Sequence, residues 1–206
     1  MTEVPEPLRV GFVPGVTPDK WARRWREQRS RGPLDVVPLA EDDDPVALLS
    51  EGTLDLCLVR LPVDTDGLHV VRLYDEVPVV VVSREHPVAA YDAVDVTDLV
   101  DEHLLQDADA VPEWRDLASE VSAGTRHPVP TMTARQAVES VAADAGVVIV
   151  PMSVARLHHR RDVVAVPVTG IPETTVALVW PVAHDDERRQ AFVGVVKGRT
   201  RNSTRG

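Results

Sequence analysis

Positive charge, cysteine and long apolar runs are scarce in this sequence, and each shortage closes off a class of function. Lys and Arg number 22 against 33 Asp and Glu, for a formal net charge of −11. A chain so acidic repels polyanions on average, and it lacks the clustered basic face that nucleic-acid binding requires. Its short basic stretches are Arg23, Arg24, Arg26, Arg29 and Arg31 on one predicted helix, and Arg199, Arg201 and Arg205 near the end. They read as a solvated helix face and a frayed terminus. Cys57 is the one cysteine, so no internal disulfide is expected. It sits in the apolar run Leu54–Val59, where a small core residue is expected. No run approaches the roughly 18 apolar residues of a membrane-spanning helix. The first seven residues have neither the basic start nor the apolar stretch of a signal peptide, which predicts a cytoplasmic protein.

What is there is an ordinary globular composition, 44% hydrophobic and 27% charged. The 206 residues suffice for one large domain or two lobes. A strand is predicted at residues 8–13. Thr17-Pro18 then reads as N-cap plus first helical proline, with Trp21, Ala22 and Trp25 on one helical face and Gly32 as the C-cap. The grammar repeats: a strand at 34–39, the cap Asp44-Pro45, a helix ending at Gly52, and a nearly continuous apolar strand at 54–60. Such a strand is typical of a parallel sheet covered on both faces. This β-α-β-α-β order marks a doubly wound α/β lobe. Two strands follow, at 68–73 and 77–83.

A second α/β unit is expected after His86-Pro87, with a short helix at 97–100 and a strand at 103–106. Trp114, Leu117, Ala118 and Val121 suggest a helix, and residues 129–132 a strand. Thr133 caps a helix closed by Gly146; the remaining predictions are strands at 147–150, 163–168 and 175–180 and helices at 152–159 and 185–196.

Several segments together are familiar. Leu8-Arg9-Val10-Gly11-Phe12 opens the chain, and Gly52-Thr53-Leu54-Asp55-Leu56-Cys57-Leu58-Val59-Arg60-Leu61-Pro62 follows. Then come His86-Pro87-Val88-Ala89, Asp98-Leu99 and the run Val141–Ser153, which contains Gly146-Val147-Val148-Ile149-Val150-Pro151. In order and spacing these pieces resemble the effector-binding domain of LysR-type transcriptional regulators over roughly residues 8–196. The resemblance implies a periplasmic-binding-protein type 2 fold: two α/β lobes joined by crossing strands, with a ligand in the interlobe cleft. Lobe one is expected at 8–83 plus 170–206 and lobe two at 84–169, with 1–7 and about 197–206 frayed. No counterpart of the family's winged helix-turn-helix is seen, so a free-standing or truncated sensor that does not bind DNA itself is expected. Asp144 stands where the family has the first of two glycines.

The ligand-binding candidates are Gly15, Val16 and Thr17 after the first strand, Arg60, Leu61 and Pro62 after the third, and Met132 and Thr133 at a later helix start. Unpaired N–H groups and the helix dipole favour an anion at such places, and in relatives these positions contact effectors. A small carboxylate is the expected effector, although Thr17 reads equally well as a plain N-cap. Arg84, near the crossover, reads as structural or site-bordering. The resemblance also implies a homodimer, paired through the helix at 17–31 and the strand at 34–39.

Catalysis finds little support. There is no G-x-S-x-G elbow, P-loop or H-E-x-x-H motif, and the adjacent His158 and His159 make a poor metal pair. No cofactor, metal site or catalytic residue is expected. A small enzyme on the same fold, or a dimerisation module acting on a full-length regulator, stands as the alternative.

Overall fold

The structure, a computed structural model, describes residues 6–27 and 32–198. These form two compact units, one running to Tyr74 and resuming at Thr175, the other Asp75–Thr174. The expected first lobe ran through residue 83, but the strand before that point pairs inside the second unit.

The first unit is built on strands β1 (Leu8–Phe12), β2 (Leu34–Pro38), β3 (Leu56–Arg60), β4 (Leu68–Glu76) and β9 (Thr174–Pro181). Their order in the sheet is β2-β1-β3-β9-β4. β1 is parallel to both neighbours, as the βαβ grammar requires, whereas β9 runs antiparallel to β3. Helices α1 (Asp19–Arg26), α2 (Pro45–Ser50) and α7 (Glu187–Val196) cover it. β3 shows why its sequence is unbroken apolar. Leu56 and Leu58 enter a cluster with Trp21, Trp25 and Phe192, while Cys57 and Val59 enter another with Leu49 and Leu54. Alternate side chains point to opposite faces of a strand, and here both faces are buried. Trp21 and Trp25 are core residues, 3% and 1% exposed.

The second unit holds β5 (Pro78–Ser83), β6 (Val94–Asp95), β7 (Val148–Pro151) and β8 (Val163–Thr169) in the order β6-β8-β5-β7. Its helices are α3 (Pro112–Arg115), α4 (Ser119–Ser122), α5 (Ala134–Val141) and α6 (Met152–Leu157). β5 is buried at every position, with Val80 and Val82 on the Trp114 side and Val79 and Val81 on the α5 side.

Several expectations need correction. The single helix around Trp114 is two short ones, because Ala118 between them is extended (φ −61°, ψ 129°). Residues 129–132 form no strand; Pro128 and Pro130 lack the N–H groups that pairing needs. The strand at 103–106 is reduced to one parallel bridge, Leu104 with Val147. Beyond it the Gln106 side chain takes over, its Oε1 accepting from the N–H of Ile149 at 2.8 Å. α1 ends at Arg26 with Glu27 as C-cap, not at Gly32. Residues 28–31 of the expected helix and 199–206 of the expected frayed end lie outside the described residues.

Asp144 takes a positive φ of 55°, the conformation a glycine would supply there. Gly146 (φ 151°) leaves no room for a side chain. A Cβ on it would lie 2.4 Å from the His103 carbonyl oxygen, at the bridge that joins residues 103–105 to Val147.

Candidate functional site

The first-unit candidates gather at the carboxyl ends of β1 and β3, adjacent parallel strands. β1 runs into the loop Pro14–Pro18, whose turn needs Gly15 at φ 85°. Val16 anchors it as a core residue, 2% exposed, with its N–H bonded to the Val13 carbonyl at 3.2 Å. Thr17 is exposed, and it is not the N-cap. That position belongs to Pro18, whose carbonyl accepts from the N–H groups of Trp21 and Ala22. Thr17 is thereby released from capping. Among the described residues its hydroxyl and N–H, and the N–H of Gly15, make no hydrogen bond within the chain.

Arg60 closes β3 beside this loop. Its Nη1 donates to the Pro14 carbonyl at 2.6 Å. The next residues leave by a cis Leu61–Pro62 bond, with the Leu61 N–H bonded to the Thr175 carbonyl at 2.9 Å. Arg60, Gly15, Val16 and Thr17 are therefore neighbours. Leu61 is half-buried and Pro62 is exposed, the former packed on the α2 side of the sheet.

Met132 and Thr133 belong to the second unit. Thr133 is the N-cap of α5 in a reciprocal box: its hydroxyl accepts from the Gln136 N–H at 3.3 Å, and Gln136 Oε1 accepts from the Thr133 N–H at 2.9 Å. The same hydroxyl lies 3.2 Å from Gln136 Oε1 and donates there. Met132 Sδ accepts from the Ser140 hydroxyl at 3.8 Å.

Two polar clusters escaped sequence reasoning. In the first unit Asp55 accepts from the Arg9 N–H at 2.8 Å and from Arg189 Nη2 at 2.6 Å, while Arg9 also reaches the Gly52 carbonyl at 2.7 Å. Arg189 also pairs with Asp186, the N-cap of α7. In the second unit Arg126 pairs with Glu120 and donates to the carbonyls of Leu104 at 2.9 Å and Gln106 at 2.7 Å. His103 Nδ1 lies 2.7 Å from the other Glu120 oxygen. Burial alone would raise the Glu120 carboxyl, but the hydrogen bonds and charges of His103 and Arg126 outweigh it and hold it below its usual value. Cys57 lies in the core, fully buried, and burial pushes its thiol up to about 12. Among the described residues no group of three or more His, Cys, Asp or Glu is placed to hold a metal ion.

Arg60 and the unbonded N–H groups of Gly15 and Thr17 thus lie at the ends of two adjacent parallel strands of an α/β unit. The comparisons with known proteins name the family. The family model for the LysR substrate binding domain matches residues 2–201, and the chain belongs to that family. A probable hydrogen peroxide-inducible genes activator of Mycobacterium avium is 31% identical over 162 residues, 75% of this chain and 52% of that protein. A protein of the same description from Mycobacterium xenopi is 33% identical over 84 residues, 40% of this chain and 44% of that one. The chain thus spans about half the length of the curated relatives it matches.

Among solved structures, the effector-binding domain of BenM with its effector benzoate superposes with a TM-score of 0.73 at 18% identity, covering 98% of this chain and 97% of that one. OxyR in its oxidised form gives 0.70 at 21%, covering 97% and 98%. The fold is the type 2 periplasmic-binding-protein fold, and the relatives are transcription regulators, not enzymes.

Proposed function

We propose that this chain is a small-molecule sensor whose effector is a carboxylate, gripped in the first unit by Arg60 and the loop Gly15-Val16-Thr17. One observation carries the reading. The Arg60 guanidinium sits 2.6 Å from the Pro14 carbonyl, beside a loop whose Gly15 and Thr17 N–H groups make no backbone hydrogen bond. A fixed cation and free N–H donors beside a helix start suit an anion. Leu61 and Pro62 border the same corner, and Met132 and Thr133 are the second unit's candidates. In this reading the domain takes part in transcriptional regulation from the cytoplasm without touching DNA itself, in keeping with its net charge of −11.

A panel of small aliphatic and aromatic carboxylates, followed by calorimetric titration of the hit, tests the proposal. A charge-assisted hydrogen bond contributes about 1.5–3 kcal/mol, so Arg60→Ala should weaken the hit roughly 10- to 100-fold. Because Arg60 also holds Pro14, Thr17→Val provides the second variant, expected to weaken binding without disturbing that bond. Affinity unchanged in both variants would overturn the assignment.

The names of the mycobacterial relatives suggest a second reading, response to peroxide. A thiol reacts as its thiolate and needs access. Cys57 has neither, being fully buried with its thiol pushed up to about 12. Ligand binding is therefore the better-supported mode. We also propose a homodimer formed through α1 and β2. β2 is an edge strand of its sheet, and an unpaired edge is a template for further pairing. A monomeric mass by light scattering would remove that proposal and, with it, a role as a dimerisation module.

A further inference from the structure

The dipeptide His86-Pro87 opens a short 3-10 turn, Pro87–Ala90, that packs on β5 and β8 of the second unit and shares no residue with the site proposed above. Val88, 7% exposed, plugs the turn into the cluster of Val80, Val82, Val166 and Val168. Pro87 brings no N–H, and the Ala89 N–H goes to the His86 carbonyl at 2.9 Å. That leaves the Val88 N–H, and a histidine caps it: His86 Nδ1 accepts from it at 3.2 Å. The other ring nitrogen, Nε2, lies 3.1 Å from Glu102 Oε2.

These two partners fix the protonation state of the ring. A nitrogen that accepts carries no proton, so the neutral imidazole holds its hydrogen on Nε2 and donates it to Glu102. The imidazolium carries a proton on both nitrogens. Its Nδ1–H would face the Val88 N–H, donor against donor, and one contact must be given up. A charge-assisted hydrogen bond is roughly twice as strong as a neutral one. The ring is only 19% exposed beside a half-buried Glu102, so the ion pair is kept and the cap is released. The neighbouring charges have other partners or face water. Arg84 is turned to the Arg161 carbonyl at 2.8 Å, Asp98 to the Asp95 N–H at 2.9 Å and His103 to Glu120 at 2.7 Å, while Glu85 is exposed. β5 and β8 themselves contain no charged residue.

We propose that His86 is a proton-operated latch: neutral, it caps the turn Pro87–Ala90 through Val88; protonated, it swings onto Glu102 alone and frees the start of that turn.

Nitrogen-15 NMR of the full chain tests this, titrated from about pH 8 to about pH 5, the range in which histidine changes charge. At the upper end the His86 ring should carry its proton on Nε2. As the ring gains its second proton, the Val88 amide should shift with the same midpoint. Its hydrogen exchange, corrected for pH, should quicken at least about fivefold, the loss of one hydrogen bond. His86→Asn, whose side-chain oxygen caps without titrating, should keep Val88 protected throughout. Glu102→Gln should move the midpoint to lower pH, because the imidazolium loses its counter-charge. A neutral ring protonated on Nδ1 overturns the proposal. So does a Val88 amide indifferent to the ring's titration, a ring that stays neutral across the range, or the same Val88 transition in His86→Asn. The wild-type titration decides by itself should a variant fail to fold.

Discussion

Both units tie a loop to the end of a sheet with a half-hidden ion cluster, and they do it with opposite charges at the centre. In the first unit the hub is a carboxylate: Asp55 takes hydrogen bonds from Arg9 and Arg189, residues far away in the sequence. In the second the hub is a guanidinium: Arg126, 16% exposed, binds Glu120 and two backbone carbonyls. The carboxylate hub has one partner, Arg9, that is 40% exposed and can turn to water. The guanidinium hub has no such release. Carbonyls cannot move away, and Glu120 is itself only 20% exposed. Two clusters of similar appearance should therefore differ in how much stability depends on them.

Replacing the hubs is the strongest way to break the comparison. Arg126→Met should cost about 2–4 kcal/mol in urea unfolding, since it leaves two carbonyls without their donor and Glu120 with His103 alone. Asp55→Asn should cost less, about 1–3 kcal/mol, because the amide still accepts one hydrogen bond and Arg9 rehydrates. Equal losses would mean that exposure of the partner is not what separates the units. Gly146→Ala should cost about 1–3 kcal/mol by forcing Cβ toward the His103 carbonyl, and should loosen the bridge beneath the Arg126 cluster.

The two threonines before helices sharpen the comparison at smaller scale. Thr133→Ala should lower stability by about 1 kcal/mol, the usual effect of removing a cap. Thr17→Ala should change it by less than about 0.5 kcal/mol, its effect appearing in ligand affinity instead. Smallest is a pH effect. The Glu120 carboxyl is held below its unfolded value, so its contribution is complete above the ordinary carboxylate range. That contribution is lost as pH falls through the lower folded value. The stability difference between the wild type and Glu120→Gln should therefore shrink on acidification within that window, and stay constant at neutral pH.

The pattern of hydrophobic residues was enough to read the βαβ order around β1, β2 and β3, because buried strands and capped helices leave local signatures. Asp44 and Thr133 cap the helices they were expected to cap. Thr17 looked the same and does not, since the choice between Thr17 and Pro18 as cap depends on where the Trp21 and Trp25 face must meet Phe192. The expected strand at 129–132 is absent because Pro128 and Pro130 remove N–H groups that pairing needs. Arg9 and Asp55 were legible as letters of a motif but not as a pair. Glu120, His103 and Arg126 belonged to no motif at all.

By itself, then, the sequence determined the β-α-β-α-β order of the first unit and most of the α/β elements of the second. Those follow from periodicity and from residue types whose effects act within a few positions along the chain. Only the tertiary structure decided which charges meet and that Thr17 is released from capping. Ion pairs and cavities join residues tens of positions apart, and their energies depend on burial, which no local pattern records.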